Sequence, residues 1–146
     1  MKTSQYLSIT ILLLSILTLE GHAQSKSKIL GKWYNTDKTA KIEILESDSA
    51  IIGKIIWIAG SGESENSNKD AVNTDTSLRN RPLMGLTILE GLQYKKGVWY
   101  GGKVYDPESG LTYPCEVSLK KRDILEIKGY LGDTWVSKTV EWYRVK

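Results

Sequence analysis

From Leu30 onward the chain alternates apolar and polar residues with a period of two, in short runs broken every 8 to 12 residues by Gly, Asp, Asn, Ser or Pro. Such alternation predicts strands with one face on a core and one in water, as in an antiparallel sandwich or barrel. Eight runs fit: Gly31 to Asn35, Ala40 to Glu46, Ala50 to Ala59, Gly85 to Tyr94, Val98 to Asp106, Thr112 to Lys120, Ile124 to Tyr130 and Ser137 to Val145. In the second, Ile42 and Ile44 oppose Lys41 and Glu43. In the sixth, Tyr113, Cys115, Val117 and Leu119 oppose Glu116, Ser118 and Lys120, which makes Cys115 a small core residue rather than a reactive thiol. In the third, Ile51, Ile55 and Trp57 share the inner face. Ile52, Ile56 and Ile58 then lie outside with Lys54, as an exposed apolar stripe.

The segments Lys95-Lys96-Gly97, Asp106-Pro107-Glu108-Ser109-Gly110 and Lys121-Arg122-Asp123 read as tight hairpin turns. Short links favour sequential up-and-down pairing. Eight strands close into a barrel whose interior is either filled by side chains or roomy enough for one small ligand. The expected fold is therefore an all-β, eight-stranded antiparallel up-and-down barrel. One connection is long, Gly60 to Pro82, with a helical turn expected at Thr76 to Arg79. Its first part, Gly60 to Lys69, suits either disorder or function by composition.

Ahead of the strands, Lys2, the apolar stretch Ile9 to Leu19 and the small-residue site Gly21-His22-Ala23 form a secretory leader. Residues 1–23 are expected to be cleaved, 24–28 to be a flexible start and 29–146 to form the barrel domain. The apolar stretch is 11 residues long, short of the roughly 20 a spanning helix needs. The product is expected in the periplasm or outside the cell, not spanning the membrane.

The chain has 20 basic and 17 acidic residues, a net charge of +3 that removal of the leader leaves unchanged. Along the sequence this charge is mild and evenly spread, which argues against nucleic acid or an anionic membrane surface as partner. Cys115 is the single cysteine, and the single histidine, His22, departs with the leader. The mature chain therefore lacks the parts for a Ser-His-Asp or Cys-His nucleophile and for the usual zinc or copper ligand sets. No cofactor and no metal are expected. Catalysis would fall to Asp70, Asp75, Asp106 and Glu108, most of which turn chemistry already explains, so no catalytic residue is assigned.

Gly31-Lys32-Trp33 in the first strand and Trp142-Tyr143-Arg144 in the last resemble the lipocalins and related barrels. That resemblance implies a Trp33 that closes one end of the barrel and an Arg144 that covers its ring. Asp70-x-x-Asn73-x-Asp75-x-x-Leu78-Arg79-x-Arg81-Pro82-Leu83-x-Gly85 and Gly101-Gly102-x-x-Tyr105-Asp106-Pro107-x-x-Gly110-x-x-Tyr113, with the closing Trp142-x-Arg144, resemble the bacterial domain-of-unknown-function family numbered 2147. The resemblance covers nearly all of residues 29–146 and implies a small exported protein with a lipocalin-like barrel. It implies no activity.

Three readings of the central motif stand side by side. Asp70, Asn73 and Asp75 form a loop network with Arg79 and Arg81. Alternatively, Arg79 or Arg81 grips an anionic head group at the barrel mouth while Trp57, Trp99 and Tyr105, with Tyr113, line an apolar interior. In the third, Asp70, Asn73 and Asp75 offer oxygens to calcium, at a spacing that is not an EF-hand loop. The expected function is a non-catalytic binding protein that holds a small apolar or amphipathic ligand, lipid-like or fatty-acid-like. The alternative is a filled barrel that serves as scaffold for contact with an envelope protein or a glycan.

Overall fold

The computed structural model describes residues 26–61, 68–132 and 136–146. The expected leader, residues 24–25 and most of the compositionally biased segment Ser61 to Lys69 lie outside the described residues. Eight strands run β1 (Gly31–Tyr34), β2 (Ala40–Ser47), β3 (Ala50–Ile58), β4 (Thr87–Lys95), β5 (Val98–Asp106), β6 (Leu111–Lys121), β7 (Ile124–Tyr130) and β8 (Ser137–Arg144). Each pairs antiparallel with its sequence neighbour, and β1 with β8, so the barrel closes. The helical turn of the long loop is a 3-10 turn at Thr76–Leu78. Among the described residues no helix is long and apolar enough to cross a membrane.

Up-and-down winding puts all links of one kind at one end. At the first end β2–β3, β4–β5 and β6–β7 are each joined by two residues. Two of these links, Asp48-Ser49 and Lys96-Gly97, have positive φ throughout, the turn conformation whose twist matches paired strands. At the second end the links are 35–39, 59–86, 107–110 and 131–136.

Most inward residues of the first end are fully buried, with Tyr94 and Leu119 half-buried against them. Trp33, Ile44, Ile51, Trp99, Val117 and Leu125 are at most 1% exposed, so no water-sized space lies against them. Outside them a 3-10 turn, Ser27–Ile29, lays Ile29 on the core. The Trp33 indole donates to the Ile29 carbonyl at 2.8 Å. Arg144 lies over the Trp33 ring at 4.1 Å and donates to the carbonyls of Leu30 and Lys28 at 3.1 and 2.8 Å. Trp99 donates to the Lys26 carbonyl at 3.2 Å. This end is sealed.

Two β-bulges change which residues face inward. In β3, Ile42 pairs with Ile55 but Lys41 pairs with Trp57. Ile56 is thus an extra residue, and every later position changes face. Trp57, expected inside, stands on the outer wall at 37% exposure. Its ring meets Tyr34 edge-on at 6.3 Å, and the Lys41 ammonium lies about 5 Å from both rings. The expected exposed stripe Ile52, Ile56, Ile58 is also corrected, since the bulge turns Ile58 inward and leaves Ile52 as it was. All three are half-buried, and Ile58 now packs against the core.

A second bulge lies in β5 between the pairs Trp99–Val117 and Gly102–Cys115, where Gly101 takes φ +72°. Glycine occupies that left-handed region without strain. Past it Val104 pairs with Leu89 and Tyr113, and Tyr105 takes the face of Lys103. Tyr105 therefore does not line the barrel interior as expected. Of the four rings assigned there, Trp99 and Tyr113 face inward.

Candidate functional site

The long loop returns over the Tyr105 face and is pinned there by the residues of the central motif. Asp70 is fully buried. It accepts hydrogen bonds from the Tyr105 hydroxyl and from Asn73 Nδ2, the latter at 2.7 Å. Arg81 Nε and Nη2 both reach Asp70 Oδ2 at 2.8 Å, with the guanidinium 5.3 Å from the Tyr105 ring centre. Asn73 also donates to the Tyr105 hydroxyl at 3.0 Å. Burial alone would raise the Asp70 carboxyl, but the hydrogen bonds from Tyr105, Asn73 and Arg81, with the Arg81 charge, hold it below the ordinary value. Burial and the adjacent carboxylate push the Tyr105 phenol up. The network is a satisfied buried cluster of charge-assisted bonds.

The rest of the motif shapes the backbone of the same loop. Asp75 caps the 3-10 turn by accepting from the Ser77 amide and hydroxyl at 2.9 and 2.7 Å. These bonds lower its carboxyl. Arg79 donates from Nε to the Asn73 carbonyl at 2.8 Å and is otherwise exposed. Thr74 bonds the Gly110 carbonyl at 3.4 Å. A side chain at Gly110 would begin 2.0 Å from the Val72 carbonyl oxygen, and φ there is +72°, so glycine alone lets the β5–β6 turn meet the loop. Asp106 Oδ1 accepts from the Glu108 amide in that turn, and Glu108 is exposed. The four carboxylates weighed for catalysis thus divide into one buried, two capping turns and one in solvent.

At the second end of the barrel the inward side chains are less buried, and Leu83 and Leu86 of the long loop pack against the core. The inward positions there are Ala40 on β2, Ile58 on β3, Val104 on β5, Tyr113 on β6, Gly129 on β7 and Val140 on β8, all half-buried. Lys138, paired with Gly129, shares their face and is exposed. The Tyr113 hydroxyl lies 3.3 Å from Ser109 Oγ. In the links and strand ends there, Val72, Leu78, Met84, Leu111, Leu131 and Val136 are 37% to 57% exposed. This end, the mouth of the barrel, has Leu89, Cys115 and Ile127 buried on its inner side. Arg81 is committed to Asp70. Gly129, Val140 and Lys138 were not singled out from the sequence, because their convergence with Tyr113 depends on strand register.

On the outer wall, a cavity of about 260 Å³ is lined by Gly101, Gly102, Lys103, Pro114, Cys115, Glu116 and Tyr130, where the β5 bulge leaves the sheet without side chains. Burial, and then the Glu116 charge, push the Cys115 thiol up to about 12, which keeps it protonated and unreactive at neutral pH.

The family model described as an uncharacterized protein conserved in bacteria (DUF2147) matches residues 31–144. Among solved structures, protein HP1028 from the human pathogen Helicobacter pylori, described as belonging to the lipocalin family, is similar. It is 24% identical over 81% of this chain and 83% of that one, with a TM-score of 0.67, a likeness in fold. No curated protein matches the sequence.

Proposed function

Because the chain belongs to the DUF2147 family of bacterial proteins, whose own description assigns no activity, we propose its function from the barrel: an exported, non-catalytic protein that seats the apolar part of a small amphipathic ligand, such as a fatty acid, in the loop-bearing mouth. The observation that carries this reading is the contrast in filling between the ends. Six inward residues at one end are at most 1% exposed, while the inward residues at the other are half-buried, near six exposed apolar side chains. Apolar surface of that kind is stabilised by covering it, at about 25 cal/mol per Å² removed from water. The packed lower half limits the ligand to a short apolar segment at the mouth rather than a chain threaded through the barrel.

Titration of delipidated protein with a fluorescent fatty-acid analogue tests this. Saturable binding is expected, with displacement by unlabelled fatty acid. A β-carbon at Gly129 would sit 3.6 Å from Tyr113 Cβ, in ordinary contact. Gly129→Leu would therefore fill the mouth and weaken binding at least about tenfold, the loss of a buried apolar group. Equal binding by that variant, or none by either protein, overturns the reading. The outer cluster of Tyr34, Lys41 and Trp57 favours a second reading, contact with an envelope protein or glycan on the outer wall. Binding of such a partner that is lost in Trp57→Ala and kept in Gly129→Leu would select it.

A further inference from the structure

Charge divides between the two ends more sharply than apolar exposure does. Spread along the sequence, the lysines and arginines look even; folding gathers them. Lys28 near the chain start, Lys95 and Lys96 in the β4–β5 turn, Lys121 and Arg122 in the β6–β7 turn, and Lys146 all meet at the sealed end. None of the six is in an ion pair among the described residues. Three more basic residues there are engaged: Lys26 with Glu46 at 2.9 Å, Lys120 with Glu141 at 2.7 Å, and Arg144 over Trp33. Among the described residues the carboxylates in these turns are Asp48 and Asp123, with Glu46 and Glu141 nearby and engaged by Lys26 and Lys120. The two-residue hairpins bring lysines that are scattered along the sequence to one end.

We propose that this sealed, basic end docks the protein on an anionic phospholipid surface. Three observations favour a lipid surface among polyanions. The charges sit on turn tips and a chain start that together ring one end of a barrel, a shape that meets a plane at once and offers no groove to track a nucleic-acid strand. Five of the six are lysines, compact hydrated charges suited to diffuse attraction rather than to forked, base-reading contacts. All six side chains are also exposed, so together they can meet a planar surface. None of the largest exposed hydrophobics lies in these turns, so contact is at head-group level without insertion. Docked this way, the mouth points away from the surface.

Protein purified after export would be sedimented with vesicles of phosphatidylcholine alone or mixed equally with phosphatidylglycerol. Binding is expected to the mixed vesicles only, and to fall steeply as salt shortens the reach of surface charge. Each lysine near the surface contributes about a fivefold gain. The triple variant Lys28→Glu, Lys95→Glu, Lys121→Glu should then lose at least about a hundredfold. A control that reverses Lys38 and Lys69, at the other end, should bind as the parent does. Circular dichroism establishes that both variants fold. Equal binding to phosphatidylcholine, insensitivity to salt, or equal loss in the control would each overturn the proposal. So would tighter binding to a duplex oligonucleotide than to the mixed vesicles in the same buffer, which would point to nucleic acid. Fatty-acid binding plays no part in any of these readouts.

Discussion

The two ends of this barrel are built on the same eight strands and the same alternation, yet the inward side chains of one are mostly buried and those of the other half-buried. At the sealed end, two-residue links hold the strands close and bulky inward residues, Trp33, Trp99 and several isoleucines and leucines, fill the space between them. At the mouth the links lengthen, and the inward residues Ala40, Ile58, Val104, Tyr113, Gly129 and Val140 are half-buried. The contrast teaches that a barrel of this width stores stability where large side chains meet and leaves room for binding where inward ones remain half-buried.

The largest effect should come from emptying the sealed end. Trp33→Ala removes a fully buried indole, its bond to Ile29 and its stack with Arg144. The expected cost is about 3 to 5 kcal/mol, and a thermal melt should shift down by more than about 10 °C. Next is the pin of the mouth loop. Asp70→Ala strands Tyr105, Asn73 and a partly exposed Arg81, at about 2 to 4 kcal/mol after allowance for solvent around the guanidinium. Amide exchange across residues 68–86 should quicken more than in β6 and β7. If exchange instead quickens uniformly, the two ends are not separable units.

Acid should act on the mouth through the same carboxylate. Because the folded Asp70 carboxyl lies below its ordinary value, its stabilisation is present above that value, about pH 3.9. It is lost as pH falls through the folded one. The melting gap between the parent and Asp70→Asn should therefore be constant from about pH 8 to pH 5 and close below about pH 4. A gap that widens on acidification would contradict the assignment. A smaller effect is expected for Arg144→Lys, which keeps the charge but loses the flat stack and forked bonds, at about 0.5 to 2 kcal/mol. The smallest belongs to Val104→Ala at the mouth, at about 1 kcal/mol or less because the site is already half open. A Val104 penalty as large as that at Trp33 would erase the distinction between the ends.

Much of the fold was legible in the chain. Period-two runs placed all eight strands within about two residues of their ends, a margin ordinary for such boundaries, and Gly31-x-Trp33 with Arg144 pointed to stacking at one end. The density of Asp, Asn and Arg at 70–81 marked the loop that matters. Which arginine would be tied down was not legible, since Arg79 and Arg81 are equivalent by sequence and differ in reach to Asp70. Trp57 and Tyr105 were misplaced because a bulge adds one residue to one strand. Alternation counted along a single strand does not register an insertion that only the partner strand reveals.

Local chemistry in the sequence was sufficient to determine strands, tight turns and an interior built from alternate residues, because backbone preference and burial act over a few neighbours. The tertiary structure alone decided which end is sealed, which ring lies outside, and that scattered lysines meet on one side. Those outcomes depend on register around a closed barrel, where residues from distant segments become neighbours only when the last strand meets the first.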